Sequence, residues 1–418
     1  MSKSAEWDLI VVGAGAAGIG AGLAARAAGL KTQILEAADR IGGRAHTVRE
    51  RGIAYDLGCH FLHSASRNPF SLAALTRGET IRMHGTQGAF PPALYRDGVL
   101  QDEETRAACG RYYAECYQRS LAVQADVSVA AAIDGQSPFR DIYTGWCGAI
   151  VGVPPERIST EDVKAYAETG EDWPVKEGYG ALIAGLADGL PIRTGCPVSA
   201  IDRTGETVRV ETPDGTLTAR AVIVTVSPDV LRSGSIRFTP DLPNSVRAAL
   251  EDVRLGFAER VALFTDGPVM DPPVIAHIMP KAGHMIGVNF HEFGQNTIGG
   301  YLAGDLAADL AREGGRAALI DYTLDAVVEI LGSDLRGKIL GAISSCWSTD
   351  PYILGSYSAA LPGRHAARAA LRDPFDNRLA LAGEACSPDA FSTAHGAYIT
   401  GTHAVSRMLQ GGLRASRD

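Results

Sequence analysis

A short pattern near the N-terminus has the residue types and the spacing to bind a nucleotide. Residues 13–18 read GAGAAG, which fits the pattern G-x-G-x-x-G, and Glu36 follows 18 residues after Gly18. Glycines without side chains let a diphosphate approach the backbone, and a carboxylate accepts hydrogen bonds from ribose hydroxyls. The spacing predicts dinucleotide binding, and Glu36 favours a free 2′-hydroxyl, as in FAD or NAD, over the phosphate of NADP.

This chemistry needs a strand before the glycines and a helix after them. The apolar run Leu9–Val12 predicts the strand, and the small residues from Gly18 to about Ala28 predict the helix. A second strand, Thr32–Leu35, then carries Glu36 at its end. The three elements predict a βαβ unit with the acid beside the glycine turn.

A lone acid near the C-terminus, Glu384, has a similar setting. The apolar run Leu379–Ala382 predicts the last strand of the same sheet, and a helix of small residues is predicted to begin near Gly396 and Ala397. A helix N-terminus directs backbone N–H groups at negative charge. We therefore expect a carboxylate and a helix start beside the same cofactor.

Composition sets the class of protein and excludes some partners. The 418 residues are 46% hydrophobic and 21% charged, as in a globular chain with one large or two interleaved domains. The net charge of -9 argues against nucleic acid or an anionic membrane surface as a partner. The uncharged run Leu9–Ala25 is glycine-rich and marginal in length for a membrane span.

The cysteines indicate the redox compartment. The seven cysteines are scattered, and none forms a Cys-x-x-Cys pair. This pattern predicts reduced thiols in a cytoplasmic protein, with no metal site and no disulfide framework.

The segment after Glu36 resembles a known family. EAADRIGGRAHT contains Arg40, Gly42, Gly43 and Arg44, and it resembles the E-x-x-x-R-x-G-G-R segment of the flavin amine oxidase superfamily, which includes monoamine and polyamine oxidases. Further blocks resemble that family in the same order. They are YDLGCHFLHSASRNPF, VKEGYGALIAGLA, the stretch that begins IRTGCPVSAIDR, and CWSTDPYILGSYSAALPG. Only about 64–175 and 230–340 lack sharp motifs.

The resemblance implies an α/β fold in which a Rossmann-like FAD-binding domain of the GR2 type is interleaved with an α+β substrate domain. The FAD-binding parts are expected at 1–63, 176–229 and 345–418, and the substrate parts at 64–175, mostly helical, and 230–344. The apolar patterning itself predicts strands at 207–210, 221–226, 261–264 and 286–290, and helices at 305–332.

The family's cofactor contacts carry over to the positions that match its motifs. Arg44 corresponds to an arginine on the diphosphate, the backbone of Val198 to the adenine contact, and Glu384 to the acid of a G-E-A motif near the ribityl chain. Trp347 matches a tryptophan near the flavin ring, although any core also buries tryptophan. The expected cofactor-binding residues are Gly13, Gly15, Ala17, Gly18, Glu36, Gly43, Arg44, Gly58, Cys59, His60, Val198, Trp347, Glu384 and Ala394.

The resemblance also says how the cofactor is held. Ser356 occupies the position at which monoamine oxidases carry the cysteine that bonds covalently to the flavin. Serine cannot form that thioether, so the implied cofactor is non-covalent FAD.

Family members take a hydride from the carbon beside an amine, so the protein must position that carbon, keep the amine neutral and exclude water. Tyr357 matches one wall of the family's aromatic cage, and a core tyrosine is the alternative. The facing position falls at Thr393, where many members have an aromatic residue; Phe391 could fill part of that gap. His63 matches a histidine near the substrate in polyamine oxidases, and neutral imidazole can accept a proton from an ammonium. A histidine bonded to the backbone is the alternative.

The last expected catalytic residue, Arg260, departs from the family. Members commonly place a lysine here that holds a water at flavin N5 and assists reoxidation of the flavin. Arginine stays protonated and has a different donor geometry. Either Arg260 holds that water or it points elsewhere and the enzyme is a dehydrogenase with an acceptor other than oxygen. An ordinary strand arginine is the third possibility.

The resemblance implies oxidation of a small amine to an imine by hydride transfer to flavin N5, with hydrogen peroxide as a product if oxygen is the acceptor. An FAD-dependent desaturase or dehydrogenase of an apolar, non-amine substrate is the alternative, because those enzymes share the N-terminal fingerprint. WSTDPYILGSYS favours the amine. A non-enzymatic flavin-holding protein is disfavoured by the presence of His63, Trp347 and Tyr357. Substrate identity and oligomeric state have no signal in the sequence.

Overall fold

The computed structural model describes residues 5–83, 93–272, 274–281, 283–372 and 376–416. The strands are β1 Trp7–Val12, β2 Thr32–Leu35, β3 Thr47–Glu50, β4 Ile53–Asp56, β5 Phe61–His63, β6 Leu94–Arg96, β7 Val99–Leu100, β8 Asp172–Pro174, β9 Ile192–Arg193, β10 Ala200–Asp202, β11 Val208–Thr212, β12 Gly215–Val224, β13 Arg237–Thr239, β14 Val253–Leu255, β15 Ala258–Thr265, β16 Ile275–Met279, β17 Ile286–Phe290, β18 Thr297–Ala303, β19 Ile339–Ser344, β20 Ser358–Ala360 and β21 Leu379–Leu381.

The helices alternate with these strands along the chain. They are α1 Ala16–Ala27, α2 Pro69–Arg77, α3 Glu103–Ala122, α4 Val129–Ala132, α5 Arg140–Val151, α6 Thr160–Ala165, α7 Tyr179–Gly185, α8 Pro228–Arg232, α9 Asn244–Asp252, α10 Gly304–Leu331, α11 Ala367–Arg372 and α12 Ala394–Gln410. Short 3-10 turns lie at 155–157, 292–294, 333–338, 347–349 and 384–386. None of the helices in the described ranges has both the length and the apolarity that a membrane crossing requires.

The first sheet has the strand order β13-β10-β11-β12-β1-β2-β9, and β21 also pairs with β12. β1 is parallel to both β2 and β12, and β21 is parallel to β12, which gives a Rossmann-like centre. β11 and β12 form an antiparallel hairpin at its side. The predicted βαβ unit and the predicted final strand are therefore confirmed, and together they bring the turn after β1 and the turn after β21 to the same edge of the sheet.

Helices α1 and α12 pack against each other on one face of the first sheet. Their small residues allow a close approach, because a Cβ added at Gly401 would lie only 2.0 Å from the Ala17 carbonyl oxygen. This contact explains the small-residue composition at both ends of the chain. It holds the two helix N-termini near the same part of the sheet.

The second sheet has the order β19-β15-β18-β17-β16-β6-β7 and packs against α10, which bends at Gly315. Helices α3 to α6 form most of 103–165, as predicted for this helical region. The predicted strand 286–290 coincides with β17, and the helical region 305–332 is α10. The expected α/β fold is confirmed. The domain boundaries stay a prediction, and β13, although past residue 229, pairs with β10 of the first sheet.

The start of α12 was predicted wrongly. The helix begins at Ala394 and not near Gly396 and Ala397, because Thr393 caps it: its hydroxyl accepts a hydrogen bond from the Gly396 N–H at 3.0 Å. A Ser or Thr immediately before a helix is a standard start signal. Because of the glycine at 396, the sequence pattern placed the start of the helix two or three residues too late.

Candidate active site

The turn between β1 and α1 forms the floor of the site. Gly13 has φ 101°, and a Cβ added at Gly18 would lie 1.9 Å from the Gly13 carbonyl oxygen. Both positions therefore require glycine. The Glu36 carboxylate closes the turn from the side, since it accepts hydrogen bonds from the N–H groups of Ala14 at 2.7 Å and Ala38 at 2.9 Å.

One cavity of about 2430 Å³ extends from this turn into the space between the sheet and the helices α3, α5 and α6. Its volume exceeds the ~300–1,000 Å³ of a typical small-molecule site, so it can hold a dinucleotide and a substrate together. It is lined by every expected site residue except Gly18, which lies behind the turn. These are His63, Tyr357, Arg260, Thr393, Gly13, Gly15, Ala17, Glu36, Gly43, Arg44, Gly58, Cys59, His60, Val198, Trp347, Glu384 and Ala394.

An ion pair joins the two ends of the chain at this cavity. Arg44 Nη1 lies 3.0 Å from Glu384 Oε1 and also donates to the Ser356 carbonyl. The same carboxylate accepts from the Ser358 hydroxyl at 2.6 Å and from the Ser392 N–H at 2.8 Å. Burial alone would raise the pKa of Glu384, but Arg44 and these hydrogen bonds lower it below the ordinary value. Glu384 is therefore a charged, fully engaged buried acid.

Trp347 is anchored by a carboxylate that no motif had indicated. Its indole N–H donates to the Leu57 carbonyl at 2.9 Å, beside Gly58. Glu259, fully buried on β15, accepts from the backbone N–H groups of Trp347 and Ser348, both at 2.9 Å. An acid in a mostly apolar strand was the available clue, but its partners lie almost 90 residues away in the chain.

Tyr357 borders the cavity together with Tyr301, which no motif had indicated. Their hydroxyl oxygens lie 2.6 Å apart, and the Tyr357 hydroxyl donates to the Ala149 carbonyl at 2.6 Å. Burial raises the pKa of Tyr357 well above its ordinary value, so the phenol stays neutral. The pair forms a fixed aromatic wall beside α5.

Thr393 also borders the cavity, but its hydroxyl is occupied as the cap of α12 and as a donor to the Ala390 carbonyl at 2.7 Å. Phe391 also lines the cavity, with its ring centroid 5.5 Å from that of Tyr166. The guanidinium of Arg368 lies 3.9 Å from the Phe391 ring. Phe391 and Tyr166 therefore supply aromatic surface near the position that lacks it.

His63 is paired with Asp172. The distance from His63 Nδ1 to Asp172 Oδ1 is 2.6 Å, and the histidine side chain is 41% exposed at the cavity wall. Burial tends to lower the pKa of His63, but the hydrogen bond and the charge of Asp172 raise it above the ordinary value. The alternative of a histidine ring bonded to the backbone does not hold.

Arg260 lies beside a buried group of charged and aromatic side chains. Its guanidinium lies 5.2 Å from the Tyr55 ring and 6.0 Å from the Tyr301 ring. Burial lowers the pKa of Arg260, but Tyr55 and the carboxylates of Asp56 and Glu292 raise it above its ordinary value. Arg260 also borders a second void of about 20 Å³, large enough for one water.

The ring of His60 belongs to the same charged group. His60 Nε2 lies 2.9 Å from Glu292 Oε2, and Arg82 donates to Glu292 Oε1 at 2.8 Å. Burial would raise the pKa of Glu292, but His60 and the arginines lower it to about 2. The side chain of His60 is therefore engaged with Glu292 while the residue lines the cavity.

Two family models match the chain. The model described as flavin containing amine oxidoreductase matches residues 129–409, and that of an NAD(P)-binding Rossmann-like domain matches residues 11–75. Polyamine oxidase 4 of Oryza sativa subsp. japonica is 29% identical, over 95% of this chain and 88% of that protein. Lysine-specific histone demethylase 1B of Mus musculus is 24% identical, over 96% of this chain and 52% of that protein.

A solved structure shows the same fold. A putrescine oxidase redesigned at its cofactor site superposes with a TM-score of 0.76 at 17% identity, over 97% of this chain and 99% of that chain. The similarity extends over nearly the full length of both chains.

Proposed function

The chain belongs to the flavin-containing amine oxidoreductase family, and from this premise we propose that it is an FAD-dependent enzyme that oxidises a C–N bond of a small amine to an imine. The observation that carries the proposal is the continuous cavity that runs from the glycine turn to His63 and Tyr357. It brings a dinucleotide cradle and a polar, aromatic chamber into one space. The relatives named as polyamine oxidases support an amine as the substrate.

The flavin cofactor fits the residues present. The glycine turn presents backbone without side chains to a diphosphate, Glu36 stands beside it, and Arg44 supplies positive charge near Glu384. We propose that FAD is bound non-covalently, because the buried residue at the expected attachment position is Ser356. When bound, the flavin supplies the hydride acceptor.

The protein's part is to position and deprotonate the amine. The Tyr301–Tyr357 pair and Phe391 give walls for the substrate carbon chain, and their hydrocarbon surface excludes water. His63 takes the ammonium proton, so that the nitrogen lone pair is free when the adjacent C–H bond breaks. The imine product is then hydrolysed by water.

The proposed function is compatible with two kinds of electron acceptor, oxygen or another oxidant. Arg260 is directed at Tyr55, Asp56 and Glu292, and this placement favours a guanidinium held by its own charged neighbours. Its Nε has no hydrogen-bond partner within the described ranges, and that donor together with the 20 Å³ void is compatible with a bound water. Peroxide formation and dye reduction distinguish an oxidase from a dehydrogenase. A cytoplasmic location remains a prediction from the cysteine pattern.

A panel of monoamines, diamines and polyamines, assayed for hydrogen peroxide in air and for reduction of an artificial electron acceptor, tests the proposal. We expect at least one amine to give product in one of the two assays, with His63→Gln lowering kcat/KM by roughly 100-fold. Acid precipitation should release the yellow cofactor into the supernatant. Colour that stays with the protein would refute non-covalent binding.

A further inference from the structure

The position of His63 is fixed by a short ribbon of two strands that leads into the cavity. β5 and β8 are antiparallel, and His63 is the direct partner of Asp172 in the ladder. Directly opposed residues in an antiparallel pair project to the same side of the ribbon, with Cβ atoms about 5 Å apart. The pairing register of the two strands therefore places the imidazole and the carboxylate side by side.

The chain just after His63 is tied to the same region. Ser64 has φ 48°, an unusual conformation for a residue with a side chain, and its hydroxyl donates to the Ala167 carbonyl at 3.0 Å. Ala65 N–H donates to the Glu171 carbonyl at 3.2 Å. These contacts hold the strained turn against the loop before β8. Strain of this kind persists where the surrounding structure fixes a functional position.

The hydrogen bond to Asp172 decides which histidine nitrogen faces the substrate. With Nδ1 bonded to the carboxylate, Nδ1 carries the proton in the neutral ring and Nε2 is left as the acceptor. No protein group in the described ranges hydrogen-bonds to Nε2. The exposed part of the ring lies at the cavity wall, where an amine can reach it.

We propose that Asp172 is a positioning residue that holds His63 in the tautomer and orientation in which Nε2 accepts a proton from the bound ammonium. In this step an ammonium N–H bond breaks and an Nε2–H bond forms. One positive charge moves from the amine to the imidazole, where the Asp172 carboxylate stabilises it. The inference rests on the proposed amine oxidation, since it assigns a role within that reaction.

Several charged groups face His63 and set the pH at which it titrates. Asp172 on β8 and Glu168 in the preceding loop favour the imidazolium, whereas His60 before β5 opposes it. His395 on α12 interacts electrostatically with His63. Burial lowers the pKa of His395 to about 4, so its ring stays neutral near pH 7. Among the residues that the structure describes, Asp172 is the one hydrogen-bonded to the ring, and we expect its effect on the His63 pKa to dominate.

The sign of the pH effect follows from this balance. A raised pKa makes His63 a stronger base, but the neutral ring that accepts a proton forms only as pH rises through that pKa. The acid limb of kcat/KM should therefore lie above the ordinary histidine value of 6.5. The stability that the pair adds is present below 6.5 and is lost as pH rises through the raised pKa.

The test measures the His63 pKa directly, by NMR titration of histidine-labelled holoenzyme, with His63→Gln used to assign the signal. Asp172→Asn keeps an oxygen acceptor for Nδ1 but removes the charge. We expect it to lower the His63 pKa by roughly 1 unit or more and to move the acid limb of kcat/KM down by the same amount. Asp172→Glu, which restores a carboxylate, should keep both values high.

Glu171→Gln is the matched control, because it removes the same charge one residue earlier, from a side chain bonded to Ser66 and Thr169. Glu171→Gln should leave the His63 pKa and the acid limb of kcat/KM unchanged. A His63 signal that titrates alike in wild type and Asp172→Asn, or below 6.5 in wild type, would overturn the pairing. A shifted signal with an unmoved acid limb would show that another group is the base. The NMR arm needs no turnover, so it separates failure of this inference from failure of the amine reaction.

Discussion

At the scale of single residues, the site combines buried and partly buried charged groups that are each matched by a named partner. Glu384 meets Arg44, and His63 meets Asp172, while Glu292 meets His60 at 2.9 Å. Burying a charge is costly unless it is paired and hydrogen-bonded. Each pair offsets the cost of placing charge beside the cavity. Single substitutions in these pairs should therefore change cofactor or substrate binding.

Glu384→Gln should weaken FAD retention. Removing one partner of a buried ion pair costs about 3–5 kcal/mol, and less where the other partner is partly exposed. The Arg44 side chain is 28% exposed. We therefore expect a Kd for FAD that is higher by about tenfold, equivalent to ~1.4 kcal/mol, measured by fluorescence titration of the apoprotein.

Glu50→Gln serves as the control, because its pair with Arg51 is about half exposed at both ends, 47% and 46%. It should leave the Kd unchanged. Since the pKa of Glu384 is lowered from about 4.5, its stabilisation is present above that pH and lost as pH falls further. An unchanged Kd for Glu384→Gln would remove this residue from the cofactor clamp.

At the scale of elements, α12 links the cofactor end of the site to the substrate end. It packs against α1 through small residues, and Thr393 at its N-cap borders the cavity. Thr393, which stands at the expected cage position, therefore also stabilises the start of α12. An aromatic side chain here would lose the cap.

Thr393→Ala should destabilise the holoenzyme by about 1 kcal/mol, the usual cost of losing an N-cap hydroxyl. Thr393→Ser keeps the hydroxyl and should unfold at nearly the wild-type denaturant concentration. Equilibrium unfolding followed by circular dichroism measures both. Equal loss of stability in the two variants would mean that the methyl group, and not the cap, is what matters at this position.

The sequence was most informative where a motif lies within one short stretch. The unit from β1 to β2 and Glu36 obeys local rules of turn and strand chemistry, and its position was predicted to within a few residues. Asp172, Tyr301 and Glu259 were missed because each acts through a partner more than 50 residues away, brought close only by the tertiary fold. Neither composition nor periodicity records such a pairing.

At the scale of the whole molecule, two sheets and a helical layer enclose one cavity. The first sheet contributes the dinucleotide cradle, the second contributes Arg260 and Tyr301, and the helices contribute the apolar walls. A cofactor lying along the first sheet would present its reactive part to the space between the other two layers. We therefore expect an amine to be oxidised in this space.

Anaerobic mixing of the FAD-loaded protein with the amine panel measures this oxidation by itself, because the flavin is then the only electron acceptor needed. We predict that at least one amine bleaches the flavin absorption, while the alcohol of the same carbon skeleton leaves it unchanged. Bleaching by dithionite confirms that the bound flavin can be reduced. A flavin that dithionite bleaches but no amine in the panel does would contradict the account.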